Sequence, residues 1–514
     1  MHVEEGELKE ESWVSPAIPE HRREPAPAIF LVGLIVLAGA LRFWRLGDWG
    51  FDSDELFTLR DSINLEPRNP RPLLYVLNHY LVQPFVPLDE FGIRLLPAIF
   101  GVLAIPALYL VARRLVGTRA ALFAALLLAV SGLHVYYSQF GRYWTLVFLL
   151  SAVYPFAIYL GIRDRSRSAL LLGLFTGVLA VLAHPASVLL LGGVGIWLAA
   201  TYLRRDRLRL LWSQKSVRWG AGLVLIIAVA VALRFIPMLR GWVSQRDRVP
   251  RGEFLLHLPD MKGLKEILLL SAYVESLTLP LVLIAAVGIY LLWQRQRDRS
   301  LALLLACMLV FPLAFILLLS FRTPISTFYL VPTTPILFIG TGVLLDRLAD
   351  VDLGLRPRWL LAGILVTVII SAGAPTLVSQ YRDGRRYDFR GAALWLNKRL
   401  DPHDMVFSDQ PIVMSYYLRG VEAHRLVADP PLLTQSESLL HQSGRRGTLW
   451  IVAPYSSRGG HRTNPKIGNL KAWIYDHCQL RNVVGVARLD FRVNELQIFQ
   501  CPPAMTASNG GPAT

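Results

Sequence analysis

The chain is 514 residues long, 54% of them hydrophobic, and it carries a formal charge of +16. So apolar a composition excludes an ordinary soluble protein of several domains. The basic excess does not indicate nucleic acid either, because the arginines close the ends of apolar blocks instead of forming a patch.

In chain order, residues 1–26, rich in Glu and Pro, predict a disordered tail. Apolar blocks of ~20 residues follow, the length at which a helix crosses a ~30 Å hydrocarbon layer. They predict spans near 27–45, 95–112, 119–137, 143–162, 168–183, 185–203, 219–239, 273–293, 301–320, 325–345 and 359–378, about eleven in all. "HRRE" ahead of the first block and "AGA" at 38–40 imitate a signal peptide, but the block reaches spanning length and is expected to stay as the first span. Residues 27–378 then form the transmembrane domain of a polytopic α-helical membrane protein.

The arginines orient it. "ARRLVGTR", "RDRSRS", "RRDRLRLLWSQKSVR", "QRQRDRS" and "DRLADVDLGLRPR" fall on one side, which the positive-inside rule makes cytoplasmic. The tail is then cytoplasmic, and the first outer loop, 46–94, "YYSQFGRY", "HP", "FRTPIST" and residues 379–514 face out of the cytoplasmic (inner) membrane. One outer loop breaks the rule: 240–266 carries Arg246, Arg248 and Lys262 among other cations. It is either a solvated loop balanced by its own acids or a site for an anionic lipid headgroup.

Residues 379–514 read differently. "RGAALWLNKRL" and "NLKAWIYDHC" have helical spacing, while "DMVFSD", "TLWIVAP" and "ELQIFQC" are short runs of β-formers. The alternation predicts a small extracytoplasmic α/β domain. It holds no G-x-G-x-x-G after a strand, so nothing supports a dinucleotide site. Cys478 and Cys501 both fall in it, where an oxidising compartment allows a disulfide; Cys307 lies within a span.

The first outer loop contains "FDSDELFTLRDS", four carboxylates in residues 51–62. The spacing predicts a helix over 53–64 lying on the outer membrane surface, Asp54, Thr58 and Asp61 on one face and Leu56, Leu59 and Ile63 on another. Asp52 is placed to cap it and Glu55 to complete a capping box. Asp61 has Arg60 beside it. Asp54 is left without a structural duty. At the lipid–water boundary it is placed to take a proton from an attacking hydroxyl. Alternatively, the D-x-D of Asp52 and Asp54 ligates a divalent cation. Farther along, Arg142 and Arg322 stand at the mouths of spans on the same side. Arginine there either snorkels or grips phosphate with two parallel hydrogen bonds. Tyr137 is read as an interfacial belt residue or a ligand. His184, before Pro185, is read as a donor to phosphate or sugar or as a helix-end histidine satisfied by backbone.

After the acids come "RPLLYV", "IRLLPAIFG", then "YYSQFGRYW", and later "FRTPISTFYLVPTTPILFIG" and "DFRGAALWLNKRLDPHDMVF". This order, over most of 28–345, resembles the GT-C superfamily of membrane glycosyltransferases. The nearest branch holds protein O-mannosyltransferases and bacterial aminoarabinose and lipopolysaccharide-core sugar transferases. The resemblance implies an inverting transfer of a sugar from a polyprenyl-phosphate donor to a hydroxyl on a protein, lipid or glycan acceptor. It places the catalytic carboxylate at Asp54 with Glu55 as its partner. Developing charge on the leaving phosphate calls for donors nearby, and Arg142, Arg322, Tyr137 and His184 are the candidates. Two departures are visible: Phe328–Tyr329 stands where an "RY" pair is common, and Arg71 interrupts the paired prolines as Pro70-Arg71-Pro72. The rival reading is a transporter or lipid flippase, which would show inverted repeats and ionisable groups near the midplane. No repeat is evident, and Arg234 is the nearest interior charge.

Overall fold

The computed structural model describes residues 25–65, 69, 71–203, 218, 222, 278–320, 327–351, 359–426, 447–454, 474–476, 478–485 and 495–501. Nearly all of the tail at 1–26, nearly all of the block at 219–239, the loop 240–266 with Arg246, Arg248 and Lys262, and Arg322 lie outside the described residues.

The apolar blocks are helical wherever they are described. In chain order the helices are α1 (Pro25–Phe43), α2 (Ser53–Asn64), α3 (Pro72–Leu77), α4 (Gly92–Val116), α5 (Thr118–Val130), α6 (Gly132–Ser138), α7 (Trp144–Ser151) and α8 (Tyr154–Arg163). Then come α9 (Arg167–Ala183), α10 (Val188–Tyr202), α11 (Thr278–Gln294), α12 (Arg299–Ser320), α13 (Thr334–Leu348), α14 (Leu360–Asp383), α15 (Phe389–Leu396) and α16 (Pro411–Tyr417). Among the described residues, six helices are long and apolar enough to cross a membrane. The bent pair α5–α6 adds a seventh if it is one span. Shorter apolar helices at Pro27–Phe43, Arg167–Ala183 and Pro280–Gln294 coincide with three more of the expected blocks.

The bend between α5 and α6 is 58°, and it has a visible cause. Backbone groups freed at depth in a membrane need partners from protein. The buried Arg42 guanidinium donates to Leu128 O at 3.1 Å and Ala129 O at 3.0 Å, at the end of α5, and lies 2.9 Å from His134 Nδ1. Ser131 Oγ accepts from His134 N at 3.3 Å and restarts the helix. Elsewhere small residues let backbones touch: a Cβ on Gly288 would lie 1.9 Å from Gly340 O, so α11 and α13 pack main chain on main chain.

Residues beyond α14 build a five-stranded sheet of order β2-β1-β3-β5-β4. Its strands are β1 (Met405–Ser408), β2 (Ala423–Arg425), β3 (Leu449–Pro454), β4 (Gln479–Val484) and β5 (Leu496–Cys501). β1 runs parallel to β2 and β3, and β5 is antiparallel to β3 and β4. Three of these strands fall on the three runs of β-formers, because alternation in a half-buried strand is a local signal. A disulfide joins Cys478 and Cys501.

One expectation is corrected here. Of the apolar face of α2, Ile63 stays exposed, but Leu56 and Leu59 do not face lipid. Leu56 and Leu59, with Phe51 and Ile93, belong to the same buried cluster as Phe389, Leu396, Val413, Met414, Trp450 and Ile498 of the sheet and its helices. Thr58 and Asp61 on the polar face are buried as well. A helix layer that offers apolar cover replaces lipid as the partner of α2, and that cover comes from more than 300 residues away, where local periodicity carries no information about it.

Candidate functional site

The site begins with the cap of α2. Asp52 Oδ1 accepts from Asp54 N at 3.0 Å, and Glu55 Oε2 accepts from Asp52 N at 3.0 Å, which completes the expected capping box. Burial pushes the Asp52 carboxyl above the usual range. The cap fixes the first turn, so the two side chains that follow, Asp54 and Glu55, leave it in different directions with different company.

Glu55 is 0% exposed. Its Oε1 accepts from Arg94 Nε at 2.8 Å and Gly141 N at 2.7 Å. Its Oε2 accepts from Arg94 Nη2 at 2.7 Å and Arg386 Nη1 at 2.6 Å. Burial alone would raise this carboxyl, but Arg386 and Arg94 hold it down at about 2. With both oxygens saturated, Glu55 holds structure and has no lone pair facing a substrate. Arg94 supplies the rest of the frame by donating to Leu46 O, Trp49 O and Gly50 O at 2.8–3.2 Å.

Asp54 is the contrast. Its side chain is 48% exposed, and its carboxylate meets Arg142 Nη2 at 3.5 Å. The Arg142 side chain is buried; its Nη1 donates to Asp54 O at 3.1 Å, Thr58 Oγ1 at 3.2 Å and Tyr75 OH at 3.5 Å. The sequence signal for this pairing is the "YSQFGRY" element, whose Gly141 and Arg142 grip Glu55 and Asp54 in turn.

Behind Arg142 lies a basic and aromatic cluster centred on Tyr143. Arg142 and Arg71 stack on the Tyr143 ring at 5.0 and 5.3 Å, and Arg71 Nη1 donates to Tyr143 OH at 2.5 Å. His184 packs on Tyr143 at 4.8 Å, Trp144 at 4.9 Å and Tyr329 at 5.7 Å. His184 Nδ1 accepts from Ala186 N at 3.0 Å, which leaves the proton on Nε2. Among the described residues, Arg71 Nε, Arg142 Nε and His184 Nε2 are buried donors without an acceptor. Arg42 Nε, Trp49 Nε1 and His134 Nε2 are in the same condition elsewhere; here three such donors converge around one ring, where they could serve an anion. Tyr137 forms the next wall, its ring 6.1 Å from both Trp144 and Phe328.

The fold therefore brings Asp54, Arg142, His184 and Tyr137 together and separates Glu55 from them by function. Arg71, Tyr143, Arg94 and Arg386 have no part assigned to them by the sequence. Arg71 is visible there as the residue splitting two prolines, and Arg94 as a lone cation heading an apolar run. Arg386 leaves no such trace. For a divalent cation, the donor set is a poor fit. Asp52 uses Oδ1 on the cap, Asp54 stands beside a guanidinium, and no cluster of three or more His, Cys, Asp or Glu side chains occurs among the described residues.

Residues 77–234 match the family described as dolichyl-phosphate-mannose-protein mannosyltransferase. No curated protein matches the chain in sequence. In fold the chain is similar to ArnT from Cupriavidus metallidurans in the apo state, with a TM-score of 0.58 and 16% identity over 92% of this chain and 98% of that one. It is similar also to ArnT bound to undecaprenyl phosphate, with a TM-score of 0.52 and 14% identity over 96% of this chain and 100% of that one. The archaeal oligosaccharyltransferase AglB from Archaeoglobus fulgidus, in complex with an inhibitory peptide and a dolichol-phosphate, superposes with a TM-score of 0.51 and 14% identity, over 84% of this chain and 69% of that one. At these identities the likeness speaks for architecture, and together with the family match it makes this chain a multi-pass membrane protein with the GT-C glycosyltransferase fold.

Proposed function

We propose that the chain is an inverting glycosyltransferase. It moves a sugar from a polyprenyl-phosphate donor to a hydroxyl of a protein, lipid or glycan acceptor at the outer face of the cytoplasmic membrane. The observation that carries this reading is the pairing of an exposed carboxylate, Asp54, with three buried N–H donors that lack acceptors, on Arg71, Arg142 and His184.

The chemistry follows from those groups. The phosphate of the donor lies against Arg71, Arg142 and His184 Nε2–H, which replace the water it leaves. The acceptor hydroxyl approaches from the open side of Asp54. As its oxygen bonds to the anomeric carbon, its proton passes to the Asp54 carboxylate. The carbon–oxygen bond to phosphate breaks, and its electron pair leaves on polyprenyl phosphate, where the cationic donors stabilise it. A single displacement inverts the anomeric centre. ArnT in complex with undecaprenyl phosphate supports a lipid phosphate as the leaving group.

The same reading extends to topology. The seven long or bent spans, the three shorter apolar helices and the block at 219–239 would make eleven crossings. The tail would be cytoplasmic and residues 379–514 outside. The test is reconstitution of the full chain in lipid with a panel of polyprenyl-phosphate sugars and crude envelope extract. Release of free polyprenyl phosphate is the readout. A donor that turns over, with a loss of ~10²-fold or more for Asp54→Asn, supports the general base. A donor that turns over equally in Asp54→Asn moves the base elsewhere, and transport of the lipid across the bilayer without turnover would favour the flippase.

A further inference from the structure

We infer that Arg386, carried by the segment between α14 and α15, is a positioning residue that sets Asp54 and Arg142 in register by clamping two loops at once. The inference rests on the proposed role of Asp54, and it adds a long-range control that the site residues alone do not contain.

Arg386 is buried; its Nε donates to Gly384 O at 3.2 Å, and its two terminal nitrogens reach two different loops of the site. Nη1 donates to Glu55 Oε2 at 2.6 Å and to Gly50 O at 3.3 Å, both in the loop that carries Asp54. Nη2 donates to Gln139 O at 3.4 Å, and the guanidinium stacks on Phe140 at 5.6 Å, both in the loop that carries Arg142. Glu55 follows Asp54 directly, and its other oxygen takes Gly141 N, which precedes Arg142 directly. A displacement of Arg386 therefore reaches both reactive side chains through a single peptide link each.

Charge does not force this arrangement. Arg94 by itself engages Glu55 with two hydrogen bonds, and Asp52 is a second carboxylate whose field reaches Arg386. What sets Arg386 apart is geometry: its hydrogen bonds reach both loops.

The backbone is shaped to deliver it. α14 ends at Gly384, which adopts φ +66° and lies so close to Trp49 that a Cβ would fall 2.5 Å from Trp49 Cγ. Only glycine gives both the left-handed conformation and that approach. Farther on, Arg390 donates to Asp48 O and, at 3.4 Å, to Glu90 Oε1, and Tyr417 OH accepts from Phe51 N at 2.7 Å and donates to Glu90 Oε1 at 2.7 Å. The sheet-bearing segment thus holds the first loop at several points; Arg385 stacks on Tyr136 of the second at 5.4 Å, and Arg386 hydrogen-bonds to both loops.

The experiment uses the full chain in lipid, the donor found active in the turnover assay, and undecaprenyl phosphate as the binding probe. Arg386→Met is expected to lower kcat by about 10²-fold, the size a misplacement of ~1 Å can produce. Because the clamp also seats Arg142, one of the three proposed phosphate donors, its Kd for undecaprenyl phosphate should rise, but by no more than about 10-fold, the size of one weakened hydrogen bond to a charged group. Arg386→Lys, which keeps the charge and loses the fork, should recover part of kcat. Because the clamp acts through Glu55, Glu55→Gln combined with Arg386→Met should be no worse than the poorer single variant. The inference is overturned if Arg386→Met keeps kcat within about threefold, if phosphate affinity falls by as large a factor as kcat, or if the two losses multiply. Should Arg386→Met fail to fold, Arg386→Lys decides by the same comparison of kcat with affinity. Asp54→Asn separates the two claims. If it retains activity, the reading of the base fails; if it is inactive while Arg386→Met is normal, only the clamp fails.

Discussion

Two arginine-rich clusters flank the first turn of α2, and they are satisfied to very different degrees. Around Glu55, Arg94 and Arg386 make hydrogen bonds to carboxylate and backbone, and the acid accepts from two guanidiniums and two amides. Around Tyr143, Arg71, Arg142 and His184 each keep one buried nitrogen without an acceptor among the described residues. A saturated cluster in a low-dielectric setting is rigid and has nothing left to offer a ligand. An unsaturated one still has donors to offer, and under the proposed function they take the phosphate. Adjacent carboxylates, Asp54 and Glu55, thereby acquire opposite roles: one is half-exposed and faces the unsaturated side, the other is enclosed in the frame.

Exchanging or removing these groups tests the contrast, and the largest effect should come from Asp54. Asp54→Asn removes the proton acceptor from a side chain that is 48% exposed. Turnover should fall by about 10²–10⁴-fold, while thermal unfolding in detergent stays close to that of the natural protein. Glu55→Ala should do the reverse of sparing stability. It strands two buried cations, and losses of about 3–5 kcal/mol are typical when one partner of a buried pair is removed. Differential scanning fluorimetry would show the drop.

Acid should affect the same frame. The folded Glu55 carboxyl lies at about 2, below its ordinary value of 4.5. A depressed folded value means that its stabilising contribution is complete above about 4.5 and is lost as pH falls towards 2. A melting temperature measured across that window should decline in the natural protein, and the decline should be shallower in Glu55→Gln.

On the unsaturated side, Arg71→Ala or His184→Ala should weaken undecaprenyl phosphate binding by about 10-fold or more, the usual size for a lost hydrogen bond to a charged group. Neither should lower the melting temperature as Glu55→Ala does. If they destabilise the protein without affecting phosphate binding, the cluster is scaffold too, and the distinction between the two regions collapses. The smallest effect concerns the rim. Tyr417→Phe loses the hydroxyl bonded to Phe51 N and Glu90 and should cost about 1 kcal/mol, with turnover nearly unchanged.

Several features are legible in the chain alone. The capping box of Asp52 and Glu55, the strands over Met405–Ser408, Leu449–Pro454 and Leu496–Cys501, and the helices in the apolar blocks all depend on neighbours within a few residues. The same local signals misplace α2 on lipid, because amphipathic spacing reports that one face is covered and not by what. The capping pattern does give Glu55 a structural duty and leaves Asp54 without one, whereas the family resemblance presents the two as a pair. Nothing in "DSDEL" shows that Glu55 also faces two arginines.

By itself, then, the sequence determined which segments are apolar enough to be helices in a membrane, which turns are capped, and which residue types meet at the mouths of spans. Only the tertiary structure decided what encloses Glu55 and saturates both of its oxygens. That enclosure depends on partners 39, 86 and 331 residues away from Glu55, namely Arg94, Gly141 and Arg386. The physical reason is that a carboxylate's role follows from its burial and from how many donors compete for its lone pairs, and both are properties of packed neighbours rather than of the residues beside it in the chain.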